Sequence, residues 1–392
     1  MRICIVYDCL FPWTVGGAER WMRNVAEALV ADGHDVTYLT RRQWPVDAPP
    51  DLPGVRVIAV SREEPLYGPD GNRTIGEPLR FGWGVLAHLA RHGRDYDVVH
   101  TASFPYFSLL AAGAARRRGG YRIVADWHEV WSDAYWREYL GGLQGRVAQL
   151  IQRACARVRQ EAFCFSELHA RRLRAEGLRG EPTVLRGEYA GPEGPLARRP
   201  PEPLVVYAGR MIPEKQAPAV VAAVAAARER VPELRGVIFG DGPQLDDVRA
   251  EIARLGAEEY VRAPGFVAAE EVEDGLSRAT CLVLPSVREG YGAIVVEAAA
   301  HGVPSVLVAA PDNAAVEHIE EGVNGFVAPD ASPRALGDAI VRAYERREAL
   351  RASTGAWFEA NAHALSMRTS LERVVASYRA PAPAPAGPMA RR

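Results

Sequence analysis

Apolar residues recur along the 392-residue chain in short, almost unbroken runs: RICIVYD, DVTYLT, VRVIAV, YDVVH, YRIVAD and AFCFS in the first half, then PLVVYAG, LRGVIFG, CLVLPS and PSVLVAA in the second. A strand with one face in water alternates polar and apolar positions, whereas a strand covered on both faces has no need to. The runs therefore predict buried strands of parallel sheets, and the segments between them predict helical crossovers of right-handed sense. Two such series predict an α/β protein with two Rossmann-like, doubly wound domains. In folds of this kind ligands bind outside the carboxyl ends of the strands, so a central cleft served by both sheets is the expected binding place.

Punctuation sets the boundaries. The stretch GPEGPLARRPPEP, residues 191–203, is too rich in proline to continue a helix or a central strand, and reads as a linker. It divides an N-terminal domain at 1–190 from a C-terminal domain at 204–365. Residues 366–380 predict a helix returning to the first domain, and the Ala-Pro repeats of 381–392 predict a disordered tail. The start, MRICIVYDCLF, is interrupted by Asp8 and suits a first strand better than a leader, and no apolar run nears the roughly 18 residues of a membrane span.

Composition narrows the classes. A hydrophobic content of 48% with 24% charged residues is that of a globular protein, and a net charge of −2 gives no basis for general nucleic-acid binding. Residues 111–180 nevertheless hold 13 Arg against 7 acids, either a solvated helical face or a site of peripheral contact with an anionic membrane or acidic acceptor. Five cysteines without a C-x-x-C pair predict reduced thiols, no structural zinc and a cytoplasmic setting. Of the 47 basic residues, only Lys215 is a lysine. In a chain whose Arg, Ala, Gly and Pro content suggests GC-rich coding, a lone lysine is either a surface residue that has not drifted or a position where a compact ammonium is required.

The densest chemistry lies in SVREGYGAIVVEAAAHGVPSVLV. A short helix is predicted over 292–301, stopped by Gly302 and Pro304. Glu297 lies among Ile294, Val295, Val296 and three alanines, so it is expected to be buried and to need a partner, either a protein donor or ligand hydroxyls. Glu289 precedes Gly290, Tyr291, Gly292 and Ala293, where the amides of a helix start could hold a phosphate. The loop GRMIPEK after the first strand of the second series offers Arg210 and Lys215. WTVGGAER places Gly16 and Gly17 after the first strand of the chain, where a ligand could approach the backbone.

Taken together, these segments resemble glycosyltransferase family 4 of the GT-B fold over nearly the whole chain. Glu289 and Glu297 fit its Glu-x7-Glu signature within EGYG and EAAAHGVPSV. GR…PEK, FGDGP, GFV, LPS and GVNGFVAPD follow in the family's order. The resemblance implies an anomer-retaining transferase that takes a sugar from a nucleoside diphosphate, most commonly UDP, with no further cofactor and no metal. Glu297 would bind ribose hydroxyls, Glu289 and the amides of residues 290–293 the sugar and phosphates, and Arg210 with Lys215 the leaving diphosphate. Phe266 and Val267 would face the base, and His128 in ADWHEVW would be the active-site histidine. The first domain would then receive the acceptor, helped by the aromatic segments 63–84 and 127–142, and the second the donor.

Two segments depart from the family pattern: LRGEYAG at 185–191 replaces its Asn-Gly turn, and APDNAAVEH at 310–318 lacks its glycine pair. The Asp-x-Asp of Asp95 and Asp97 resembles a metal motif of transferases with another fold, but it precedes a strand far from the phosphate loops. A sugar phosphorylase or nucleotide-sugar epimerase would share the architecture, and a non-catalytic carbohydrate-binding protein could. A nicotinamide dehydrogenase would need a G-x-G-x-x-G with an acid about 20 residues on, which is absent.

Overall fold

The computed structural model describes residues 1–14, 16–45, 47–48, 50–64, 74, 76–194, 196 and 199–379, so the tail read at 381–392 and parts of the linker and of segment 63–84 lie outside the described residues. The chain forms two compact units, Met1–Arg186 together with the residues from Arg368 onward, and Gly187–Met367.

In the first unit the elements are β1 (Arg2–Val6), α1 (Gly17–Ala31), β2 (Asp35–Arg41), β3 (Val55–Ser61), α2 (Gly76–His92), β4 (Val98–Ala102), α3 (Tyr106–Gly119), β5 (Arg122–Trp127), α4 (Asp133–Leu140), α5 (Gly142–Ala156), β6 (Glu161–Cys164), α6 (Glu167–Ala175) and β7 (Thr183–Val184). The second unit contains β8 (Leu204–Ala208), α7 (Ala217–Arg228), β9 (Arg235–Phe239), α8 (Leu245–Leu255), β10 (Val261–Gly265), α9 (Ala269–Arg278), β11 (Cys281–Leu284), β12 (Arg288–Glu289), α10 (Ala293–Ala300), β13 (Ser305–Val308), β14 (Asp312–Asn313), β15 (Gly325–Ala328), α11 (Pro333–Glu345) and α12 (Arg347–Leu365). The last helix, α13 (Met367–Arg379), ends the described chain.

Both main sheets are parallel throughout, in the orders β3-β2-β1-β4-β5-β6-β7 and β10-β9-β8-β11-β13-β15. In each, the first three strands run outward one way and the next ones the other, which leaves a switch point beside the first strand, between β1 and β4 and between β8 and β11. Four of the runs read as two-sided strands are buried at every residue, β4, β8, β11 and β13, whereas β3, at an edge of the seven-stranded sheet, has no fully buried residue. The sequence pattern missed β10 and β15, the two edges of the six-stranded sheet. Val261–Gly265 carries an arginine and a proline, which an edge tolerates and a central strand does not.

α13 belongs with the first unit because its buried face is polar as well as apolar. The Tyr378 hydroxyl bonds His100 Nδ1, His100 Nε2 lies 2.9 Å from Asp126 Oδ2, and Trp21 Nε1 donates to the same oxygen at 2.6 Å. All four side chains are buried, and Asp126 Oδ2 is the oxygen that both His100 and Trp21 share. Arg122 adds hydrogen bonds from its guanidinium to the carbonyls of Ser377 and Tyr378. Where the chain enters the second unit, the LRGEYAG segment pairs with its exit: Met367 N donates to the Tyr189 carbonyl at 2.8 Å, and the Tyr189 ring meets Phe358 edge-on at 5.2 Å.

Candidate active site

Two loops flank the switch point of the second sheet, one leaving β8 and one leaving β11. The first runs through exposed Gly209 and Arg210 to a 3-10 turn, Pro213–Lys215, before Gln216 opens α7. It is fixed by the FGDGP segment packed against it backbone to backbone. A side chain at Gly240 would put its Cβ 1.9 Å from the Gly209 carbonyl oxygen, and Met211 N donates to the Asp241 carbonyl at 2.8 Å. Glycine is required at Gly240 by space as well as by its φ of 131°.

The second loop meets the first at a charge pair. Lys215 Nζ lies 2.6 Å from Glu289 Oε1, with 15% and 11% of the two side chains exposed. The ammonium also donates to the Arg288 carbonyl at 3.4 Å, and Ser286 Oγ donates to Glu289 Oε1 at 2.9 Å. A second pair, Arg288 Nη2 with Glu214 Oε1 at 3.1 Å, and a hydrogen bond from Val287 N to the Glu214 carbonyl at 2.9 Å, close the seam. Arg210 is exposed, and among the described residues its guanidinium has no carboxylate partner. The seam thus carries two neutralised cations, Lys215 and Arg288, and one open cation, Arg210.

Beyond Glu289 the chain turns into α10. Tyr291 is buried, its hydroxyl accepts from Glu188 N at 3.3 Å, and His318 Nε2 lies 3.0 Å from its carbonyl, with the two rings edge to face at 4.6 Å. His318 thereby supplies an anchor within the segment that lacks the family's glycine pair. Gly292 heads the helix with φ 84°, and no side chain caps the first turn. Uncapped amides at a helix start are donors available to an anion.

Glu297 corrects the expectation of a buried carboxylate. It is exposed, on the one outward position of α10, while Val295, Val296 and the alanines around it are buried. Its charge is felt nearby: burial, then the fields of Glu297 and Glu273, push the Tyr189 phenol up to about 12. At the end of β10, Phe266 is 80% exposed and Val267 half-buried.

In the first unit, His128 follows β5 and is half-buried, its ring stacked face to face on Phe165 at 4.5 Å and 8°. Phe165 also meets Trp21 of α1 edge-on at 5.1 Å. Gly16 adopts the extended conformation before α1, and a Cβ at Gly17 would meet nothing within 4 Å. Phe165 escaped the sequence reading because it stood within an apolar strand run, and Ser286 because its hydroxyl role depends on Glu289 folding back. The Asp-x-Asp pair is spent locally: Asp97 receives Arg2 Nη2 at 2.9 Å and Arg2 N at 2.8 Å, and Asp95 lies 3.3 Å from His92. Among the described residues no three His, Cys, Asp or Glu side chains converge as a metal site.

Residues 15–185 match the family described as Glycosyltransferase Family 4, and residues 202–346 match Glycosyl transferases group 1. The glycogen synthase of Mycobacterium tuberculosis is 28% identical over 338 residues, 78% of this chain and 77% of that protein. Among solved structures, sucrose-phosphate synthase from Thermosynechococcus elongatus superposes with a TM-score of 0.78 at 20% identity, covering 96% of this chain and 98% of its own. Anabaena HepE in complex with UDP-glucose gives 0.69 at 18% identity, covering 97% and 99%. These structural likenesses establish the architecture as GT-B, as the sequence motifs implied.

Proposed function

Starting from the chain's membership of glycosyltransferase family 4, and hence its identity as a glycosyltransferase, we propose that it transfers a sugar from a UDP-sugar to an acceptor hydroxyl with retention of configuration and without a divalent cation. The observation that carries this reading is the Lys215–Glu289 contact of 2.6 Å, which joins the loops after β8 and β11 at the switch point of the second sheet. Ligand binding at such a crevice is the general expectation for open parallel sheets.

Each residue then has a task set by its chemistry. The diphosphate lies against residues 290–293, the uncapped turn into α10, with Arg210 as the open cation. Lys215 turns a proton toward the leaving phosphate while Glu289 holds the ammonium in place and accepts from sugar hydroxyls. As the sugar–phosphate bond breaks, negative charge grows on the phosphate and positive charge on the oxocarbenium-like sugar, and these fixed groups stabilise the first. The acceptor hydroxyl attacks from the face the phosphate leaves, without a covalent intermediate. The exposed Glu297 carboxylate accepts from the ribose hydroxyls, and the exposed Phe266 ring with the Val267 backbone meets the base. His128, held flat by Phe165, serves the reaction near the donor sugar and acceptor, and the backbone of Gly16 and Gly17, where a Cβ at Gly17 would meet nothing within 4 Å, receives the donor. The five cysteines are buried and free, in keeping with a cytoplasmic enzyme.

The choice of UDP draws on HepE, whose structure holds UDP-glucose. A thermal-shift screen with the UDP, GDP, ADP and dTDP forms of common sugars tests it, since ligand at about 100 times its Kd adds roughly 2.7 kcal/mol of stability. A UDP-sugar is expected to give the largest shift, and the chosen donor is expected to turn over unchanged in EDTA. A larger shift with another base would overturn the UDP assignment. Activity lost in EDTA and restored by magnesium or manganese would overturn the metal-free phosphate site.

A further inference from the structure

On α5 the usual arrangement of a helix is turned inside out. Its buried face is small or polar, made of Gly145, Gln152, Cys155 and Ala156, whereas Leu143, Val147 and Leu150 are 77%, 50% and 61% exposed. The spacing i, i+4, i+7 places those three on one stripe of the helix, so they form a continuous apolar surface and not scattered exposures. Arg146 and Arg157 fall on the same side, and among the described residues neither guanidinium has a carboxylate partner. The helix carries no Asp or Glu, and from residue 133 to 159 five arginines face two acids. One of those acids, Asp133, is engaged by Gln149 and lies 3.9 Å from Arg153, which also pairs with Glu176 at 2.8 Å.

We propose that this face of α5 docks on an anionic lipid bilayer, the leucine and valine side chains entering the acyl boundary and Arg146 and Arg157 meeting the headgroup phosphates. An apolar stripe edged by unpaired arginines matches such an interface in both of its chemistries, and a helix of 15 residues lies on a membrane and does not cross it. No helix among the described residues is long and apolar enough to span one. The proposal is independent of the donor assignment and gives the arginine surplus of the first unit a defined location.

Flotation of the full chain with vesicles of phosphatidylcholine alone, and of phosphatidylcholine with phosphatidylglycerol, tests the surface. Binding is expected to the anionic vesicles, weakening as salt rises. Leu143→Ser with Leu150→Ser should reduce partitioning about tenfold or more at unchanged Tm, because exposed leucines support no core. Arg146→Gln with Arg157→Gln should weaken binding and flatten its salt dependence. Equal binding to both vesicle types, no binding to either, or wild-type binding by both double variants would overturn the proposal. So would a wild-type dimer in sedimentation velocity that the leucine variant dissolves, since the stripe would then belong to a second copy of the chain.

Discussion

An ammonium group has three protons to place, and at Lys215 two acceptors are supplied by the protein, Glu289 Oε1 at 2.6 Å and the Arg288 carbonyl at 3.4 Å. One proton remains for a phosphate oxygen. A guanidinium in the same space would spread its charge over a wide fork and could not meet all three directions from one point. This gives a physical reason for the chain's only lysine, and it separates two variants. Lys215→Ala should lower kcat about a hundredfold, by comparison with loss of an oxyanion donor. It should also cost about 1–3 kcal/mol of stability, because Glu289 would keep only Ser286 as a partner in a largely buried site. Lys215→Arg should recover only part of the rate. Full wild-type turnover in the arginine variant, measured at saturating donor, would leave the lysine without a role that depends on its shape. At Glu297 the expected change is different: Glu297→Gln should weaken UDP affinity, because the amide loses the charge that strengthens bonds from ribose hydroxyls, while Tm stays the same for so exposed a residue. Calorimetry showing unchanged UDP affinity would return Glu297 to the surface. Its exposure was not legible in the sequence. In a helix as short as Ala293–Ala300, apolar neighbours on both sides do not reveal which single position faces outward. The position of Lys215 in a loop after a strand was legible, but its partner was not, since the contact depends on two loops from strands that are adjacent only in space.

Among the elements, the strands with long apolar runs were readable and the edges of the second sheet were not. All ten apolar runs became strands; in β4, β8, β11 and β13 burial on both faces leaves its mark at every residue, while the edge strand β3 was read from its apolar composition although none of its residues is fully buried. β10 and β15 have only one neighbour each, so their sequences, VRAPG and GFVA, carry less of that mark. α10 was readable from its glycines. Gly292 has φ 84°, and a Cβ there would lie 2.5 Å from Ala315 Cβ. Gly292→Ala should therefore destabilise the protein by about 1–3 kcal/mol and, by shifting the first-turn amides, weaken UDP binding as well. Chemical denaturation with UDP titration checks both effects. Wild-type stability would mean that the loop can move aside, and lowered stability with normal affinity would detach the amides from the phosphate.

For the whole molecule the central matter is which of two similar sheets takes the donor. Each has a switch point beside its first strand and a glycine in the loop that follows. Electrostatics distinguishes them. Residues 7–17 after β1 contain Asp8 and no Lys or Arg, whereas residues 209–216 after β8 contain Arg210 and Lys215. A diphosphate brings about two negative charges; α1 and α10 both start without a side-chain cap, so the distinction lies in the cations, which only the loop after β8 offers. Hydrogen exchange of the full chain with and without the UDP-sugar tests this directly. Slowed exchange is expected in residues 209–216, 265–267 and 285–297, and none beyond background in residues 7–14. Protection confined to residues 7–14, or the same protection of the second-unit loops by a nicotinamide dinucleotide at equal concentration, would contradict it.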